Sequence, residues 1–441
     1  MATIPAEPSA GAPARPAPGT GAYSWYVVGL LLVIYGLSNL DRSVINILAQ
    51  SIKLELKISD TQLGLLTGAS FAVFYSVLGV PMARLADRTH RVNVITGSLA
   101  VWSVLTAACS IAGSYLGLFL IRMGVGVGEA GGTPPSQSII ADYFPHARRS
   151  TAIAVFNAGV PLGALLGFLI GGLVNDWLGW RWAFALAGLP GIAVAVLFKL
   201  TVREPVRGQV DGLALAAERK PPMGPTLRRL FARRSYPLVM VAASFAVGVI
   251  FVCNAWLAPL FMRVHHFSAA RIGAWMALAT ALGGLVGAVG FGWLGDRLKT
   301  RHPRAEVWLP AATTLLTAPC VLVTTLSDSV PAALAAMVAL FLFGYGWIGC
   351  TSSIIHRVVP VRSRALAIGF MLALSNVTAN AFGPPLIGLV SDSLRPSLGD
   401  QALRYALACS AVFSVCGAAI YLWAGRHVLA DARTNEDPDA H

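Results

Sequence analysis

Trp25–Gln50 reads WYVVGLLLVIYGLSNLDRSVINILAQ. About 20 residues at 1.5 Å each carry a helix across a bilayer, and this stretch is long enough. Deep inside it Asp41 and Arg42 stand side by side. A charge at bilayer depth costs roughly 2.5–3.5 kcal/mol even on the lenient insertion scale. Such residues are kept where they act in a watery cavity, or where they neutralise one another and serve packing. Both readings stand at this point, and the rest of the chain must supply the partners.

The 441 residues are 56% hydrophobic and 12% charged, with a mean hydropathy of +0.67. A soluble domain carries about 25% charged residues, so the composition describes a polytopic membrane protein embedded in the bilayer. The net charge of +13 sits in short loops between apolar spans, a topology signal rather than a nucleic-acid patch. The six cysteines fall in apolar segments without metal-ligand spacing and read as small apolar fillers. No phosphate-binding loop and no nucleophile–base pattern is present, so neither ATP-driven pumping nor an enzyme is expected, and no cofactor.

Apolar runs give twelve spans, at about 24–50, 61–84, 92–112, 115–141, 150–175, 181–201, 236–262, 270–295, 306–327, 331–355, 365–391 and 402–424. The expected organisation is all-α. A disordered, Pro/Ala/Gly-rich tail at 1–22 precedes a six-helix bundle at 23–201. A polar linker at 202–235, a second six-helix bundle at 236–424 and a tail at 425–441 follow. In the linker, TLRRLFARRS puts Leu227, Leu230 and Phe231 on one face among arginines, a short amphipathic helix or a solvated basic segment. Basic residues such as Arg84, Arg88, Arg91, Arg148, Arg149, Arg357 and Arg364 collect on the linker side, which predicts that both termini are cytoplasmic.

The halves echo one another. Leu85-Ala86-Asp87-Arg88 follows span two, and Gly292-Trp293-Leu294-Gly295-Asp296-Arg297 follows span eight. Gly159-Val160-Pro161-Leu162-Gly163 in span five is answered by Gly383-Pro384-Pro385 in span eleven. Parallel six-span repeats imply two bundles with a substrate site between them near mid-membrane. With these motifs the chain resembles the major facilitator superfamily over nearly its whole length. That resemblance implies a cytoplasmic latch carried by Asp87 and Arg91, with Asp296 and Arg297 as the second copy. It also implies helix kinks at Gly159, Pro161, Gly163, Gly383 and Pro384 where the bundles rock. Solvated turns and ordinary kinks are the plain alternatives. Both loop copies depart from the family pattern: Ala83 and His90 replace its glycines in the first, and the second lacks the later Gly-Arg.

Span one carries Asn39-Leu40-Asp41-Arg42 and span four Arg122-Met123-Gly124-Val125-Gly126-Val127-Gly128-Glu129-Ala130. This pair resembles the Spinster-type branch, whose members move lysophospholipids or sphingosine phosphate. It is also similar to the neighbouring organic-anion:cation symporters. Arg122 and Glu129 are seven residues apart, so they share a helix face about 10 Å apart along the axis. The glycines between them allow another helix to approach closely. Opposed directions of spans one and four bring all four charges to overlapping depths. Burial favours a protonated acid and a neighbouring arginine an ionised one, so the two effects oppose. Glu129 is therefore the candidate proton site, Arg42 or Arg122 the candidate anchor for a substrate phosphate, and Asp41 an arginine partner or second proton site. A static salt-bridge cluster is the alternative.

Spans seven to twelve lack charged residues in their cores and offer Asn254, Trp256, Thr280, Tyr345 and Trp347 among Phe, Leu and Met. One charged wall and one apolar wall suit an amphiphile such as a lysophospholipid or sphingosine-phosphate-like lipid, moved with protons by alternating access. A proton-coupled symporter of small organic anions is the second reading, and a non-transporting receptor or scaffold the third. An Arg- and Ala-rich composition fits a bacterial inner membrane, and a monomer is expected.

Overall fold

The computed structural model describes residues 21–207, 210, 223–302, 304–360 and 363–436. Most of the expected N-terminal tail, linker residues 211–222 and the last five residues lie outside the described residues.

The fold is all-α, with twelve transmembrane helices in two six-helix bundles. Six spans are single helices: Ala22–Leu56, Arg91–Ala108, Trp180–Thr201, Ser235–Val264, Ala305–Leu326 and Arg364–Leu398. The others are jointed, and the joints repeat between halves. Span two runs Asp60–Gly64, a π turn at Leu65–Ala69, then Ser70–Arg88. Span eight does the same with Ala269–Leu282, a π turn at Gly283–Gly287, and Ala288–Lys299. Span four breaks between Tyr115–Glu129 and Thr133–Tyr143, and span ten between Val330–Gly344 and Trp347–Val358. Span five joins His146–Asn157 to Gly159–Leu178, and span twelve joins Ala402–Ala408 to Ala411–Glu436. This last helix continues twelve residues past the predicted end at 424. Among the described residues, ten runs are long and apolar enough to cross a membrane, Leu366–Val428 covering two spans. Span four is absent from that set because its joint leaves two short helices.

Glycines decide where the helices touch. Within the first bundle a Cβ on Gly159 would lie 2.7 Å from the Leu32 carbonyl, and on Gly163 2.1 Å from that of Gly36. Gly159 and Gly163 therefore seat span five against span one rather than against the other bundle. Pro161 does face across, toward Gly284. Span eleven runs unbroken through Pro384 and Pro385. It packs on span two of the other bundle, where a Cβ on Gly64 would meet the Pro384 carbonyl at 2.4 Å. In the linker, the helix Met223–Ala232 tucks Leu230 into the second bundle and leaves Arg228 and Arg229 exposed.

Candidate functional site

The four charges of spans one and four resolve into two pairs. Arg122 Nη1 donates to Asp41 Oδ2 at 3.2 Å, and Thr106 donates to the same oxygen at 3.0 Å. Both side chains of this pair are 1–2% exposed. Arg42 donates from Nε at 3.0 Å and Nη2 at 2.7 Å to Glu129 Oε2, which also accepts from Ser38 at 2.7 Å. Here Glu129 is 1% exposed but Arg42 is 32% exposed. One pair is sealed and the other is open on its cationic side. Arg122 is therefore engaged within the bundle, and of the two anchor candidates only Arg42 is partly exposed. Glu129 Oε1 has no hydrogen-bond partner among the described residues and borders a 10 Å³ void lined by Ser38, Thr133 and Ser136.

Aromatic rings complete this site. The Arg42 guanidinium lies 4.5 Å from the Phe71 ring centroid and 4.7 Å from that of Tyr75, while Arg122 lies 5.7 Å from Phe71. A cation over such a face gains about 0.5–2 kcal/mol, depending on its desolvation. Gly126 permits the arrangement, since a Cβ there would stand 2.7 Å from the Phe71 carbonyl. Ser38, Phe71, Tyr75 and Thr106 were not legible as site residues, because a lone serine or aromatic in an apolar span carries no pattern of its own. On the second bundle, Trp256 and Trp347 are core side chains rather than cavity wall, at 1% and 5% exposure. Trp256 donates to the Pro384 carbonyl at 3.0 Å.

A second polar constellation, absent from the sequence reading, ties the bundles together on the face opposite the termini. Arg263 of span seven binds Asp60 of span two through two contacts at 2.8 and 2.9 Å, and its Nε donates to Gln50 at 2.7 Å. Lys53 also binds Asp60, and Ser391 donates to it at 2.7 Å. Around this knot the bundles cap each other's helices. Asp392 of span eleven accepts from the backbone N–H groups of Asp60 and Thr61 at 3.0 and 2.8 Å. Asp176 of span five accepts from those of Ala269 and Ala270 at 3.1 and 2.9 Å. A carboxylate at a helix N-terminus satisfies otherwise orphaned donors and meets the positive end of the dipole. A signal for this existed: Gly172-Leu173-Val174-Asn175-Asp176-Trp177-Leu178 and Gly388-Leu389-Val390-Ser391-Asp392-Ser393-Leu394 are one repeated motif.

Among the described residues, the loop residues of the implied latch make contacts on their own half of the molecule and with the linker. Arg91 is buried and binds Asp142 and Ser138 of its own bundle and Glu204 at the start of the linker. Asp87 is exposed, and its backbone carbonyl, with those of Ala86 and Thr89, accepts from Arg207. Asp296 pairs with Lys299 at 2.6 Å, and Arg297 lies over Trp293.

Residues 31–355 match the family model of the Major Facilitator Superfamily. The chain belongs to that superfamily. It is 31% identical over 415 residues to an MFS-type efflux pump of Mycolicibacterium smegmatis, covering 94% of each chain. It is 31% identical over 447 residues to human protein spinster homolog 1, covering 92% of this chain and 81% of that one. A crystal structure of a bacterial homologue of the human lysosomal transporter Spinster, inward-facing and unoccupied, superposes with a TM-score of 0.84 at 31% identity. That match covers 94% of this chain and 99% of the other. The protein is thus a Spinster-type major facilitator, a multi-pass membrane transporter and not an enzyme.

Proposed function

We propose that this transporter moves a lysophospholipid- or sphingosine-phosphate-like lipid across a bacterial inner membrane, coupled to protons, by rocking of its two bundles. The observation that supports this reading is the half-open Arg42–Glu129 pair. Arg42 offers the cavity a guanidinium whose Nη1 edge is not engaged by Glu129, and Phe71 and Tyr75 flank it. Guanidinium binds a phosphate bidentately and cannot lose its proton. Substrate phosphate and Glu129 then compete for one cation. When the phosphate takes Arg42, a carboxylate in a dry site loses its counter-ion and favours the protonated form. Binding of substrate and of a proton are thereby linked through a single arginine. The tail of the amphiphile lies against the apolar second bundle.

In this reading the protein works as a monomer with both termini cytoplasmic, which makes the Asp60–Arg263 knot a periplasmic closure. The two bundles of 23–201 and 236–424 are the moving bodies, with 202–235 as their tether.

The test is flux of a labelled lysophospholipid into proteoliposomes under an imposed pH gradient, with wild type, Glu129→Gln and Arg42→Gln. Wild type is expected to move lipid with the gradient, Glu129→Gln to lose the gradient dependence, and Arg42→Gln to lose transport. Lipid flux that ignores both the gradient and Glu129→Gln would overturn the proton coupling. No lipid flux in wild type would overturn the substrate class.

A further inference from the structure

Away from the central cavity, spans nine and twelve pack side by side and part at the terminal face of the molecule. The parting leaves a groove of about 360 Å³. It is lined by the exposed Arg304 and Arg426, by Trp308, Leu422 and Gly425, and by the buried Val307 and Val428. Gly425 keeps it deep, since a Cβ there would press on Val307 at 2.9 Å. The described lining holds two arginines and no acid. The nearest carboxylates in sequence point elsewhere. Glu306 binds Ser353 and Arg357, and Asp431 accepts from the backbone N–H of Ser235.

Two features fix what the groove faces. Trp308 and Leu422 are each 50% exposed on the outside of the bundle, so the groove opens toward lipid rather than toward the other bundle. Below it, exposed apolar residues recur every seven positions: Trp308, Leu315 and Leu322 on span nine, Val415 and Leu422 on span twelve. A spacing of seven keeps them on one helix face, giving a continuous apolar strip about 20 Å long beneath the arginines. Arg426 lies about 36 Å along the axis from the opposite end of span twelve at Ala402, a full hydrocarbon thickness away, which sets both arginines at headgroup depth. A tryptophan beside them is the usual residue of that level.

We infer that this groove is a binding site for an anionic phospholipid of the terminal-face leaflet. The phosphate sits between Arg304 and Arg426, and an acyl chain lies along the Trp308–Leu315–Leu322 strip. Basic pockets between transmembrane helices recognise anionic headgroups by this combination of charge and apolar wall. The site shares no residue with Arg42 and Glu129, so it holds whatever the transported substrate is.

The test is native mass spectrometry of the full-length protein in detergent, titrated with dioleoyl phosphatidylglycerol and, separately, dioleoyl phosphatidylcholine. Wild type is expected to retain phosphatidylglycerol over phosphatidylcholine. Arg304→Gln with Arg426→Gln, both at exposed positions, is expected to weaken phosphatidylglycerol retention roughly tenfold or more, as loss of two cation–phosphate contacts implies. Gly425→Leu, which keeps the charges and fills the groove, is expected to weaken both lipids. Equal retention of the two lipids by wild type would overturn the site. So would undiminished phosphatidylglycerol retention in the double arginine variant, or a loss caused instead by Arg228→Gln with Arg229→Gln on the linker helix.

Discussion

The two faces of this transporter use charge in opposite ways. On the face away from the termini, charged groups cross between bundles: Asp60 meets Arg263, Asp392 caps span two, and Asp176 caps span eight. On the terminal face, the ion pairs among the described residues do not join one bundle to the other. Arg91 holds Asp142 and Ser138 in the first, and Glu306 holds Arg357 and Ser353 in the second. These two triads occupy equivalent positions, each member 215 residues from its counterpart, with the charges reversed. In the proposed mechanism, bundles pinned internally at one face and tied to each other at the opposite face would move as rigid bodies about the tie. The difference describes the conformation: the cross-bundle contacts hold the far face closed.

The comparison can be broken most sharply at Asp60, which is 1% exposed and shared by two cations. Asp60→Asn leaves Lys53 and Arg263 buried without their counter-ion, at a cost of about 3–5 kcal/mol to the sealed state. Spin-label distances across the far face should lengthen, and those across the terminal face should shorten. Next comes Gly388→Ala, whose Cβ would stand 2.3 Å from the Asp60 carbonyl. Backbone must shift to admit it, so about 1–3 kcal/mol is lost from the same closure, readable as a smaller change in the same distances. Asp392→Ala removes one cross-bundle cap at about 0.5–2 kcal/mol, and Asp176→Ala should match it. The two caps serve separate helices, so the double variant should show the summed shift. Smallest is Glu306→Gln at the terminal face. Its partner Arg357 is 34% exposed, so about 0–1 kcal/mol of thermal stability is at stake, with no change in distances across either face.

Much of this was legible in the chain. The Asp41–Arg42 doublet inside an apolar span and the Arg122–Glu129 spacing located the central site, because buried charge is costly and helical geometry is regular. Which acid pairs with which arginine was not legible. It depends on how the glycines of span four let Phe71 approach, a matter of tenths of an ångström. The π turns at Leu65–Ala69 and Gly283–Gly287 leave no compositional mark beyond glycines. The far-face tie was visible as the repeated Gly-Leu-Val-x-Asp-x-Leu motif, yet an aspartate at a span end reads as a solvated residue until its helix partner is in view. The partners of Arg91 were not legible for a related reason. The motif names the residue, whereas the acids that reach it, Asp142 and Glu204, lie 51 and 113 residues away.

The measurement that bears most directly on the two-faced arrangement is a pair of spin-label distances in a variant lacking the six native cysteines. Labels at Leu54 and Ser397 span the far face, and labels at His90 and Arg301 span the terminal face. A sealed far face gives a short, narrow distribution for the first pair in otherwise unaltered protein. It lengthens in Asp60→Asn while the second pair shortens. A long first distance before any substitution, or no change on Asp60→Asn, would contradict the assignment of Asp60 and Arg263 as the tie between the bundles.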